Sequence, residues 1–217
     1  MIAITPPVSV RELNRYTIWM TRRKIEYRIL EHDEFLQKDD VLMLCGGSDF
    51  GTNKERDRRE LELLHQAFEW HIPIVGICRG MQVCNIAMGG TVKDLNETGC
   101  KTHQEVAATI GDSATDKMKQ SKFHEVHIIK SWGRDSNQRL GSRITVNSRH
   151  HQMIDLLAPN LQLDGYCVGD DVPEIALNNS IRLVQWHPEF DEVYDSDCEI
   201  YVSNWIKEKI KEQNDRS

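Results

Sequence analysis

The chain has 217 residues, 39% of them hydrophobic and 28% charged, with a formal net charge of −7. That length suits a single domain over residues 1–217 with enough core to need no cross-links, and the acidic balance leaves no basic footprint for nucleic acid. No apolar run approaches the roughly 20 residues of a membrane span, and the opening MIAITPPVSV lacks the charged leader and apolar core of a signal peptide, so a cytoplasmic chain without membrane or nucleic-acid partners is expected.

In chain order, short apolar runs alternate with amphipathic ones, the rhythm of α/β folds. MIAIT (1–5), VLMLC (41–45) and IPIVGI (72–77) read as parallel strands buried on both faces, because they are continuously apolar. Between the last two, Leu61, Leu64 and Phe68 repeat at helical spacing from Asp57 to Trp70, and Pro73 ends that helix. After Cys78, Val83, Ile86 and Ala87 mark one face of a second helix, capped by the Gly89–Gly90 pair. HEVHII (124–129), RITVN (143–147) and IRLVQW (181–186) resemble strands separated by polar loops. A final helix carries Val202, Ile206 and Ile210 at four-residue spacing, with lysines toward its end, and should pack on the sheet edge or face. The six cysteines, at 45, 78, 84, 100, 167 and 198, form no C-x-x-C pair and are expected to be free thiols in a reducing compartment.

Cys78 stands at a strand-to-helix turn inside G-I-C-R-G, the G-x-nucleophile-x-G form of a nucleophile elbow. There the helix N-terminus would favour thiolate. Read alone, the pentapeptide fits a buried structural cysteine between turn glycines equally well. A nucleophilic thiol needs a base, and VQWHPEF offers His187 at a strand end with Glu189 two residues on to fix its tautomer. A developing oxyanion needs donors. Gly46 and Gly47 follow the strand at 41–45, so Gly47 N–H and the amide of Arg79 are the candidates at one crevice of strand ends; a routine turn is the alternative.

Together, GGSDFG, RDRRELELL, IPIVGICRGMQVCNIAMGGTVKDL, HEVHI, VNSRHHQMIDLLAP and VQWHPEF resemble, in family order over most of residues 41–190, the class I (triad-type) glutamine amidotransferases. Within them the chain is similar to the γ-glutamyl hydrolase, peptidase C26-like branch related to γ-glutamyl-γ-aminobutyrate hydrolase. The resemblance implies a flavodoxin-like α/β fold with a mostly parallel central sheet and helices on both faces. It further implies a Cys78–His187–Glu189 triad that cleaves a γ-glutamyl C–N bond through a thioester. It casts Gly46, Gly47 and Arg79 as oxyanion-site residues, Gln82 as a substrate-holding glutamine, and Ser148, Arg149, His150 and His151 as the grip on the γ-glutamyl α-amino and α-carboxyl groups.

VNSRHHQ favours a standalone hydrolase over an ammonia-supplying subunit, which carries a glycine-containing segment there more often. The chain departs from the γ-aminobutyrate type where GGSDFGTNKERD runs quickly into a helix, without the usual proline and tyrosine extension. That leaves the leaving group open between an amine and a nucleotide-linked amidate. Glu174 in PEIALNNS stands where the family has an acidic residue in a D-G-x-x-E-A-like strand, and its equivalence stays open; Asp94 resembles a family aspartate or satisfies a turn. His103, His124 and His127 form no H-x-x-x-H on a helix and join no acidic cluster, so no metal site is expected, and the chemistry needs no cofactor. Cys84 reads as core. A small γ-glutamyl substrate is the expected partner, with a synthase partner or self-association left open. The rivals are a glutaminase subunit feeding ammonia to a synthase, and a binding module without activity.

Overall fold

A computed structural model describes residues 1–95, 103, 106–109, 117–120, 122–129 and 141–216. Cys100, among the thiols expected to be free, lies outside them; the other five cysteines are free and buried. In chain order the elements are β1 (Ile2–Thr5), α1 (Val10–Arg22), β2 (Tyr27–Ile29), β3 (Val41–Leu44), α2 (Lys54–Trp70), β4 (Ile74–Ile77), α3 (Arg79–Ala87), β5 (Val92–Asp94), β6 (Val106–Thr109), β7 (Lys117–Gln120), β8 (Lys122–Ile128), β9 (Arg143–Ser148), β10 (Gln152–Ile154), β11 (Gln162–Cys167), β12 (Pro173–Leu177), β13 (Ile181–Val184) and α4 (Asp197–Asn214).

The continuously apolar strands are apolar because both of their faces are covered. In β1, Ile2 and Ile4 join a core with Tyr16, Trp19 and Met20 of α1 and Val202, Trp205 and Ile206 of α4. Ala3, between them, points to a second core built from Leu63 and Leu64 of α2 and Met81 and Val83 of α3. β3 divides in the same way, Val41 and Met43 to one side and Leu42 and Leu44 to the other. Each such aliphatic side chain contributes about 1.5–3 kcal/mol when fully buried.

Nine strands form one mixed sheet in the order β2-β1-β3-β4-β13-β12-β11-β8-β9. The pairings from β2 through β13 are parallel and those from β13 to β9 are antiparallel, so that β12 and β8 run against the other strands. With helices on both faces, this is the flavodoxin-like α/β architecture expected from the sequence. Among the described residues no helix is long and apolar enough to cross a membrane.

Several details differ from the sequence reading. The buried face of α2 carries Asp57, Glu60, Leu63, Leu64 and Ala67, while Leu61 and Phe68 are only half-buried. Buried ion pairs turn that helix away from its simplest apolar stripe. The helix is stopped by His71 in the left-handed conformation (φ 54°, ψ 34°), two residues before Pro73. In α3, every residue from Arg79 through Asn85 is buried, so the helix has no solvent face there and the stripe through Ile86 and Ala87 is not its inner one. Gly89 (φ 95°) follows the cap residue Met88 as expected. Val202 and Ile206 of α4 are buried and Ile210 packs against the same core, which seats this helix on a sheet face.

Candidate active site

The carboxyl ends of the parallel strands meet at one crevice, where open α/β sheets place their ligands. Cys78 follows β4 directly and begins α3 with φ 52° and ψ −109°, and its N–H donates to Val184 O at 2.8 Å. A non-glycine residue in such a conformation costs of order 1–3 kcal/mol, held here by the surrounding packing. The sharp turn therefore falls on the cysteine itself. The flanking glycines answer a different need, close approach: a Cβ on Gly80 would lie 2.1 Å from Leu44 O, and one on Gly76 would lie 2.8 Å from Gly80 O.

His187, just past β13, has its Nδ1 2.6 Å from Glu189 Oε1, and both side chains are buried. This leaves Nε2 to meet the thiol. Burial opposes charging of the ring, but the Glu189 carboxylate and the Cys78 sulfur outweigh it and raise the imidazole well above its ordinary value. Asn147 at the end of β9 clamps the same residue by accepting from His187 N at 2.9 Å and donating to His187 O at 3.0 Å. Burial pushes three other thiols up, Cys84 to about 12 and Cys198 to about 11, with Cys45 raised as well.

The turn after β3 supplies the other wall. Gly47 is exposed and has φ 144°, a conformation that favours glycine, whereas the N–H of Gly46 is taken by Tyr16 Oη at 2.9 Å. Gly46 is therefore a structural member of the turn, not a second free donor. The buried guanidinium of Arg79 turns inward to Asp57 Oδ1 at 2.5 Å and to Glu60, so its backbone amide, the group singled out from the sequence, is the part left for a ligand. Glu60 also pairs with Arg56 Nε at 2.9 Å, and Arg56 donates to the carbonyls of Cys45 and Gly46. One buried ionic network thus ties the start of α3 to the glycine turn.

The segment 148–151 splits in two. Ser148 and His150 are buried, Ser148 donating to His103 O at 2.8 Å and His150 lying beside Glu174, so their side chains face the interior rather than the crevice. Arg149 and His151 turn outward. His151 Nε2 reaches Asp49 Oδ2 of the GGSD turn at 2.8 Å, and the Arg149 guanidinium sits 4.3 Å from the centre of the Phe190 ring. Arg15 of α1 lies 4.2 Å from the same ring, and Phe190 meets His187 edge-on at 5.4 Å. Gln82 is buried, its amide donating to Gln152 O and Gln185 Oε1, both at 3.3 Å.

Three neighbours of the site were not singled out from the sequence. Gln185 donates to Cys78 Sγ at 3.5 Å; it stands two residues before His187 at the end of a strand, and period-two alternation is the signal that points both inward. Asn147 immediately precedes the recognised Ser148. Tyr16 lies in the poorly matched first 40 residues, where nothing in the pattern marks it.

The peptidase C26 family model matches residues 36–189. The chain is 32% identical over 178 residues to protein NtpR of Enterococcus hirae, covering 71% of this chain and 69% of that one. It is 27% identical to the γ-glutamyl-γ-aminobutyrate hydrolase of Escherichia coli O157:H7, covering 67% of this chain but only 57% of the hydrolase. Among solved structures, a glutamine amidotransferase from Thermotoga maritima superposes with a TM-score of 0.64 at 14% identity, over 98% of this chain and 91% of that one, a likeness of fold.

Proposed function

This chain belongs to the peptidase C26 family, and from that membership we propose that it is a cysteine-dependent hydrolase of γ-glutamyl amides, working through a thioester on Cys78. The name of the Escherichia coli relative supports γ-glutamyl amide hydrolysis as the class of reaction. The observation that carries the reading is the His187–Glu189 pair, 2.6 Å apart and buried, set beside a thiol that is presented on a strained strand-to-helix turn.

Cys78 Sγ attacks the γ-carbonyl carbon while its proton passes to His187. The carbonyl electron pair moves onto oxygen, where Gly47 N–H and Arg79 N–H are the donors for the oxyanion. Collapse breaks the C–N bond, and the departing nitrogen takes the proton from His187. Water then attacks the thioester with His187 as base, releasing glutamate and restoring the thiol. Glu189 keeps the imidazole in one tautomer throughout.

Arg15 and Arg149, held on the Phe190 ring beside His187, favour a leaving group that carries negative charge, such as a nucleotide-linked amidate, over a plain alkylamine. Glutamate release from glutamine, γ-glutamyl amines, γ-glutamyl peptides and nucleotide-linked γ-glutamyl amidates tests both points. Turnover of an anionic member on the order of 1–10³ s⁻¹ without a partner is expected. Inertness of the whole panel, with glutamine hydrolysis appearing only when a synthase is added, would establish the glutaminase-subunit alternative instead.

A further inference from the structure

Three histidines and a glutamate from separate stretches of the chain converge inside the protein, apart from the triad. Glu174 of β12 is fully buried, and its Oε1 lies 3.4 Å from His103 Nδ1, 3.1 Å from His124 Nε2 and 3.4 Å from His150 Nε2. These approaches are close, yet both Glu174 oxygens, both His124 nitrogens and His150 Nε2 have no aligned hydrogen bond. Buried polar atoms left in that condition are destabilising unless something else satisfies them.

We propose that His103 Nδ1, His150 Nε2 and a Glu174 oxygen bind a divalent transition-metal ion of the zinc class. Ligand atoms from His103, His150 and Glu174 lie within 4.8 Å of one another. Metal–ligand bonds of about 2.0–2.1 Å set the corners of a tetrahedron about 3.3 Å apart. The distances from Glu174 Oε1 to His103 Nδ1 and to His150 Nε2, both 3.4 Å, match those edges.

The outer contacts fit the same assignment. His103 Nε2 meets Asp170 Oδ2 at 2.9 Å, and His150 Nδ1 meets Gln152 O at 2.9 Å. Histidines that bind metals commonly donate their other ring N–H to a carboxylate or a carbonyl, which turns the remaining lone pair toward the ion. The carboxylates of Glu174 and Asp170 together balance a dication. Imidazole with carboxylate suits zinc and its transition-metal neighbours better than calcium or magnesium.

Such an ion would act as a brace. It joins β12 and His103 to the turn after β9 that presents Arg149 and His151. Gln152 O, which meets His150, also accepts from Gln82, whose amide in turn meets Gln185 beside the Cys78 sulfur. The expectation of no metal site rested on the lack of a helical histidine pair, but here strands and turns gather the donors.

The test uses untagged full-length Cys78→Ala protein, freed of metal by chelation and titrated with Co²⁺ alone and with Zn²⁺ alone. One ion per chain is expected, with a Co²⁺ visible band typical of nitrogen and oxygen ligands that one equivalent of Zn²⁺ abolishes. Glu174→Gln and His150→Ala should lose the band while their near-ultraviolet circular dichroism still reports folded protein. Because removal of a buried ligand can unfold the chain, Asp170→Asn provides the milder variant: it should bind about 10–100-fold more weakly. Occupancy far below one ion per chain, an Asp170→Asn affinity equal to the parent's, or a thiolate charge-transfer band placing the ion on Cys167 overturns the proposal.

Discussion

The sheet has two halves that carry polar chemistry in opposite ways. In the parallel half, β2-β1-β3-β4-β13, the four inner strands are buried on both faces and the polar groups gather at their carboxyl ends, where Cys78, the Gly46–Gly47 turn and His187 lie within three residues of a strand end. In the antiparallel half, β12-β11-β8-β9, polar side chains lie within the layer itself, and Glu174 and His124 meet across it with His103 and His150. The first arrangement gathers the proposed reactive groups at one crevice. The second encloses its polar groups inside the protein. Reactivity and rigidity thus fall to different parts of one sheet.

The sharpest way to break this division is Cys78→Ala. Glutamate release should fall by about 10⁵–10⁶-fold, the scale seen when a triad nucleophile is removed, while melting temperature and Co²⁺ binding stay as in the parent. Retained turnover would dissolve the claim that chemistry sits at the parallel strand ends.

Glu189→Gln comes next, with an expected loss of about 10²–10⁴-fold because the imidazole loses its tautomer and its charge partner. Measuring kcat and kcat/KM separately should show both falling together. Arg79→Met leaves Asp57 and Glu60 buried without their shared cation and should lower stability by about 3–5 kcal/mol in urea unfolding. A milder result would mean that the ionic network does not brace the glycine turn.

The smallest effect concerns pH. His187 is raised in the folded state by Glu189 and Cys78, so its stabilising contribution is complete below the ordinary histidine range, about pH 6.5, and is lost as pH rises through the folded value. The stability gap between wild type and Glu189→Gln should therefore be widest near pH 6 and shrink toward alkaline pH, roughly over the range where His187 deprotonates. A gap that widens with pH would reverse the assignment of charge to that pair.

The two halves also differ in how far the sequence reveals them. β1, β3, β4 and β13 are legible because burial on both faces makes them continuously apolar, and the elbow is legible because its glycines and cysteine are adjacent in the chain. β2 and β11 escaped notice: YRI and QLDGYC are short or polar, and pairing with their neighbours defines them rather than any pattern of their own. In α1, Tyr16, Trp19 and Met20 are set among charged residues, yet they form part of the core. Direction of side chains was the least visible property. The inward turn of the Arg79 side chain was not foreseen because its partners Asp57 and Glu60 belong to another helix, and the histidine cluster was missed because its members are separated by long stretches that only antiparallel pairing brings together.

The central claim is a γ-glutamyl thioester on Cys78, and acid quenching of Glu189→Gln protein during turnover, followed by intact-mass and peptide mapping, tests it most directly. The account predicts a mass gain of one glutamyl group, discharged by hydroxylamine and confined to the peptide containing GICRGMQ. Glutamate release without any covalent adduct, or an adduct on a different cysteine, would contradict it.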